Sequence, residues 1–179
     1  MLKSSLLFLY ITLMALAPAV CQGQTGRGKA AAAKAPRLTD EQRVDDAITF
    51  RVLLVDVALN LSGNGDVQRE YRGKIRERIV QISSRYGFKG ESIKAGKLGV
   101  SDVGGSGPPF TGYIRIPDGW TDIFEIENAG TLPKVLCRRG TIKLFYESLS
   151  VTAEDGCECQ LDNKVFVYSN GRWTLVGPR

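Results

Sequence analysis

The chain has 179 residues, with 24 lysines and arginines against 19 aspartates and glutamates, a formal charge of +5 and no histidine. Without histidine there is no usual general base, no commonest zinc ligand and no Ser-His or Cys-His nucleophile pair. No catalytic constellation and no cofactor site is expected, and the chemistry left to read is that of four cysteines.

Met1 to Cys21 has the layout of a secretory signal peptide. Lys3 opens a positive segment, Leu6 to Leu16 forms an apolar run, and Ala17, Pro18 and Ala19 supply small residues before cleavage. The run is too short to span a bilayer comfortably. Cleavage after Ala19 would start the mature chain at Val20, and cleavage after Cys21 at Gln22. The expected location is secreted, periplasmic or at the cell surface, with membrane contact only if the segment stays uncleaved.

Residues 22–38 read as a flexible linker. Gln22 to Pro36 carries glycine, alanine and lysine but no large apolar side chain, so it buries too little to offset chain entropy. Arg27, Lys29, Lys34 and Arg37 make it basic. With no aromatics between them, a solvated spacer is favoured over a nucleic-acid arm.

Residues 39–179 read as one α+β domain. Thr39-Asp40-Glu41-Gln42 has the form of a capping box. Val44, Ile48, Val52, Val55 and Leu59 then recur at helical spacing, predicting a helix from Asp40 to about Asn60. Phe50, Leu53 and Val57 fall outside that stripe, so both sides of the helix are expected to be covered. Ser62 to Gly65 breaks the pattern, and Asp66 is placed to cap a second helix, Val67 to Tyr86, ended by Gly87. Arg69, Arg72 and Arg76, with Lys74 and Arg78, form its outer face. Solvation is the favoured reading of that face, and binding phosphates or an acidic partner the sharper one.

Strands and turns follow Ser92. Gly104 to Pro109 reads as a loop, and Phe110–Ile116, Asp122–Glu127 and Thr141–Val151 as strands. Glu125 and Glu127 share one face of the second of these, as two carboxylates of a glycosidase would. The solvated face of a half-buried strand is the favoured reading, because no second polar cluster marks a cleft. Val165–Tyr168, Asn170-Gly171 and Trp173–Val176 read as a hairpin with a type I′ turn. The whole predicts two N-terminal helices packed on a largely antiparallel sheet.

An exported chain turns its cysteines into disulfide partners. A bridge from Cys137 to Cys157 or Cys159 would close a loop of about twenty residues and contribute on the order of 3 kcal/mol. Cys157 and Cys159, two residues apart on a strand, share a face but lie about 6–7 Å apart along it, so only one can bond to Cys137. A metal site is the less favoured reading, because a fourth ligand is hard to find without histidine.

Asp122-Ile123-Phe124-Glu125-Ile126-Glu127-Asn128, then Leu132-Pro133 and Cys137, with Cys157 or Cys159 as second cysteine, resemble the globular head of a b-class type IV pilin or a pilin-like secretion protein. Pilins are cut after a glycine before their apolar segment and carry a glutamate a few residues into it; this chain has neither before Ala17. The resemblance implies a non-enzymatic structural or assembly protein acting through protein–protein contacts in a surface or secretion apparatus. Its partners would be other envelope or extracellular proteins, with no small-molecule substrate and no nucleic acid. The alternative is a small secreted binding protein, inhibitor or toxin-like effector.

Overall fold

The computed structural model describes residues 37–59, 61, 63–87, 94–95, 102–122, 126–127 and 132–178. The signal peptide and most of the linker lie outside them. The capping box forms as the sequence predicts. The Thr39 N–H donates to Gln42 Oε1 at 2.9 Å, and the Gln42 N–H donates to Thr39 Oγ1 at 3.2 Å. Two helical donors that would otherwise lack partners are thereby satisfied. Helix α1 runs Asp40–Leu59. Past its end the Leu61 N–H returns to the Asp56 carbonyl at 3.1 Å, a Schellman-type closure that tucks Leu61 fully into the core.

Helix α2 runs Asp66–Arg85. Its cap is Gly65, which has no side chain to offer. Asp66, expected as the cap, instead sits in the first turn and pairs with Arg69. There the acid still complements the positive end of the helix. Gly87 takes a left-handed φ of 71°, as a C′ residue requires.

Among the described residues nine strands follow: β1 (Lys94–Ala95), β2 (Asp102–Gly105), β3 (Thr111–Asp122), β4 (Ile126–Glu127), β5 (Val135–Phe145), β6 (Ser150–Ala153), β7 (Glu158–Leu161), β8 (Lys164–Ser169) and β9 (Arg172–Pro178). Strands β1 and β4 pair with each other and set Glu127 opposite Lys94, while Glu125 lies outside the described residues. The other seven form one antiparallel sheet in the order β2-β3-β5-β7-β8-β9, with β6 also on β5.

Three strand expectations need correction. Gly104 and Gly105 belong to β2, not to a loop. A Cβ on Gly105 would stand 2.4 Å from the Thr111 carbonyl oxygen, so only glycine permits that approach. Strand β3 continues through Pro117 and Gly119 to Asp122, because a register shift between Ile116 and Trp120 absorbs them as an irregularity. The expected strand Thr141–Val151 is two strands, broken by a turn at Tyr146–Leu149 in which Leu149 takes φ 48°.

The core lies between one face of this sheet and the two helices. Helix α1 touches α2 on one side and β5, β6, β7 and β9 on the other. That contact explains why Phe50 and Leu53 are buried along with Val44, Ala47, Ile48, Val52 and Leu54. Helix α2 contributes Ile75, Ile79 and Ile82, and the sheet contributes Ile114, Ile142, Leu144, Tyr146, Leu161, Phe166 and Trp173. Each large side chain so buried is worth about 1.5–3 kcal/mol relative to exposure. Tyr146 packs edge-on against Tyr71 of α2, with ring centres 5.6 Å apart. Its hydroxyl donates to Asp56 inside α1, so one residue joins both helices to the sheet.

Candidate functional site

The three described cysteines meet in the sheet. Cys137 on β5 stands directly opposite Cys159 on β7, and their sulfurs are 2.7 Å apart. Cys157 lies just before β7, against the bulge at Arg139 (φ 29°) and Gly140 (φ 118°). A Cβ on Gly140 would touch the Cys157 Cβ and Sγ at 3.3 Å. All three are free thiols, so the predicted bridge is not formed in this structure. Burial, then the two neighbouring thiols, holds Cys159 well above the usual thiol range, whereas a hydrogen bond from Cys159 lowers Cys157. All three are buried, at 2% exposure or less. Among the described residues no group of three or more cysteines and carboxylates is arranged to hold a metal ion.

The basic face of α2 is divided. Arg72 reaches back over the interhelix loop and donates to the Leu61 carbonyl at 2.5 Å and the Gly63 carbonyl at 2.6 Å. Arg69 donates to the Asn64 carbonyl at 3.0 Å and pairs with Asp66. Lys74 is paired with Glu70 at 2.6 Å. Arg76 remains exposed on the same helix. Arg69 and Arg72 thus hold the loop between the helices, and the three arginines do not converge on one spot.

A different surface has the geometry of a docking site, and sequence reasoning passed over it. Asn170 (φ 51°) and Gly171 (φ 77°) make the expected two-residue turn, which pairs Ser169 with Arg172 and Tyr168 with Trp173. In an antiparallel ladder alternate pairs exchange hydrogen bonds, while the residues between point their N–H and C=O groups away from each other. Tyr168 points its groups away from β9: its N–H donates to the Cys157 carbonyl at 2.9 Å, and its C=O accepts from the Gly156 N–H at 2.9 Å. Trp173, opposite it, and Leu175, opposite Phe166, therefore direct theirs to the outer side of β9. Among the described residues β9 is the last strand on that side of the sheet. Leu175 and Val176 are 43% and 61% exposed there.

A cleft of about 530 Å³ opens beside this edge, lined by Glu41, Gln42 and Asp45 of α1 and by Gly171, Arg172, Trp173 and Thr174. Trp173 packs edge-on against Tyr168, ring centres 5.0 Å apart, and is itself buried. Glu41 and Asp45, one helical turn apart, form an acidic wall. Desolvation and then the neighbouring Asp46 charge raise Asp45 above the ordinary aspartate value. The helix wall is held in place by Asp40, which takes hydrogen bonds from Lys164 of β8 and from Arg43, the latter at 2.9 Å. In the sequence the available signal was Glu41 and Asp45 at i, i+4 on the side of α1 away from its apolar stripe. Among the described residues no helix is long and apolar enough to cross a membrane. No family model matches this chain, and no curated protein or solved structure matches it.

Proposed function

We propose that this is an exported, non-enzymatic, pilin-like protein that works by pairing with other proteins of a surface or secretion assembly. The supporting observation is the outer edge of β9, where the main-chain groups of Trp173 and Leu175 face outward beside exposed apolar side chains. An extended segment of a partner can add to such an edge as a further strand, with main-chain hydrogen bonds giving affinity and adjoining pockets giving selectivity. The edge is short, since Val176 is an extra residue in the ladder and Pro178 closes the strand. A bulge and a proline limit growth of the sheet, which favours one partner strand over open-ended aggregation.

Leu175→Pro tests the reading. The Leu175 N–H faces the edge and not β8, so proline removes an edge donor and spares the β8–β9 ladder. Stability should change by no more than about 1 kcal/mol, while retention of the protein with the cell envelope is lost. Equal retention of the variant, or release of the unaltered protein into the medium, would falsify the assembly role and leave a freely secreted binding protein.

The same reading includes a bridge between Cys137 and Cys159 once the protein meets an oxidising compartment. Their facing register and close sulfurs support that pair over Cys137 with Cys157. Peptide mapping of the non-reduced exported protein should link Cys137 to Cys159. Cys137→Ser should then cost roughly 2–5 kcal/mol. Free Cys137 in the exported protein, or linkage to Cys157, overturns the assignment.

A further inference from the structure

The β9 edge lies beside an acidic wall, and together they specify the chemistry of the strand that the edge accepts. We propose that the partner segment docks antiparallel to β9 with the pattern apolar-any-arginine, its arginine opposite Trp173 and its apolar residue opposite Leu175. This rests on the assembly reading, because it names the partner of the same edge.

The ladder sets the register. Trp173 and Leu175 direct their main-chain groups outward, so an added strand bonds to both through residues two apart. Every pairing among the described strands is antiparallel. In that sense the earlier partner residue meets Leu175 and the later one meets Trp173. Residues opposite each other in a ladder project to the same face. Trp173 and Leu175 stand opposite Tyr168 and Phe166, both of which are buried, and α1 packs against β9 on that side. Both partner side chains therefore emerge on the helix-covered face, one beside the cleft and the other beside Leu175.

Charge selects the residue beside the cleft. Glu41 and Asp45 line it from α1, and among the residues lining it Arg172 is the one cation. Desolvation and then the Asp46 charge hold Asp45 above the ordinary aspartate value, and Arg78 and Arg85 offset only part of this. A further cation stabilises a carboxylate held in that way. Arginine fits the place best. Its planar fork bonds carboxylates through paired N–H donors, and its stem can cross the strand spacing of about 4.8 Å. An acidic residue at the same register would meet Glu41 and Asp45 as like charges and is rejected. Exposure selects the other residue. Leu175 is 43% exposed, and an apolar side chain opposite it removes that surface from water.

The test is an NMR titration of the exported chain with a blocked heptapeptide, Thr-Val-Thr-Val-Thr-Arg-Thr. The amide resonances of Trp173 and Leu175 should shift and saturate. The peptide with glutamate in place of arginine should bind about tenfold more weakly, because an attraction becomes a repulsion, and added salt should narrow the gap. Glu41→Lys/Asp45→Lys should reverse the preference, and Glu41→Gln/Asp45→Asn should level it. Circular dichroism checks that each variant folds. The reversed heptapeptide, Thr-Arg-Thr-Val-Thr-Val-Thr, should bind more weakly than the forward one. Equal affinity for the arginine and glutamate peptides overturns the proposal, as does an unchanged preference in both wall variants. So does tighter binding of the reversed peptide, or no shift at Trp173 and Leu175 at millimolar peptide. Loss of envelope retention in Leu175→Pro, with equal affinity for the two peptides, leaves the assembly role standing without this selectivity. Arginine preference together with full retention of Leu175→Pro leaves the docking site standing without the assembly role.

Discussion

Asp46 places a carboxylate at 3% exposure inside the helix pair, where a lone charge would be costly. Its two oxygens are both engaged. Arg85 donates to one at 2.6 Å, and the Tyr86 hydroxyl to the other at 3.1 Å. Burial, followed by the Asp46 charge, pushes the Tyr86 phenol well above its ordinary range. Asp46→Ala should therefore destabilise the protein by about 1–3 kcal/mol in urea denaturation, because it strips the partner from the half-buried Tyr86 hydroxyl and breaks the pair with Arg85. Asp46→Asn, which keeps an acceptor for Tyr86, should cost less. Asp40 contributes differently. Its hydrogen bond from Lys164, then that from Arg43, holds the carboxyl below the usual aspartate value. A carboxyl with a depressed folded pKa stabilises the fold above the unfolded value, near 3.9, and that contribution is lost as pH falls toward and through the folded pKa. Acid titration of stability should thus be shallower in Asp40→Asn than in the unaltered chain at that end of the pH range. An identical acid limb would remove Asp40 from the account.

At the scale of elements, legibility followed how local the determining physics is. The capping box, the run of α1 and the Asn-Gly turn each depend on residues a few positions apart, and each stands where the sequence places it. The long strand β3 was hidden because Pro117 and Gly119 interrupt its β-prone run, whereas the ladder to β5 resumes beyond them at Trp120 across a register shift. The opposite error occurred at Thr141–Val151. An unbroken β-prone run conceals the turn at Tyr146, which lets that side chain enter the core and reach Asp56. No glycine or proline marks this turn, since Leu149 itself takes positive φ. The β9 edge was illegible for a related reason: a strand's neighbours are a property of the sheet, not of its own residues. Gly105 offers a direct test of such non-local constraint. Gly105→Ala would press a methyl against the Thr111 carbonyl and impose φ near 127° on a residue with a Cβ. Loss of about 1–3 kcal/mol with faster amide exchange across β2 is expected. Unchanged exchange in β2 would mean that the strand relaxes around the methyl.

Viewed as a whole molecule, the first helix is enclosed by parts that lie far along the chain. Asp46 of α1 bonds Tyr86 forty residues later, Asp56 bonds Tyr146 ninety residues later, and Asp40 bonds Lys164 one hundred and twenty-four residues later. Contacts of such separation close slowly, because loop entropy is spent before burial repays it. In pulse-labelled refolding the amides of α1 should gain full protection in the same step as those of β8 and β9, and not in an earlier phase. Early protection of α1 alone would show that α2 suffices to enclose it. The order has a consequence for the chain during synthesis. Until residues 164–178 have emerged, α1 lacks both the Lys164 partner of Asp40 and its contact with β9. A chain threaded through a translocation pore has to stay unfolded while it passes. Of the two described helices, the one synthesised first is completed last, so under the export proposed above the topology itself keeps the nascent chain pliable for that passage.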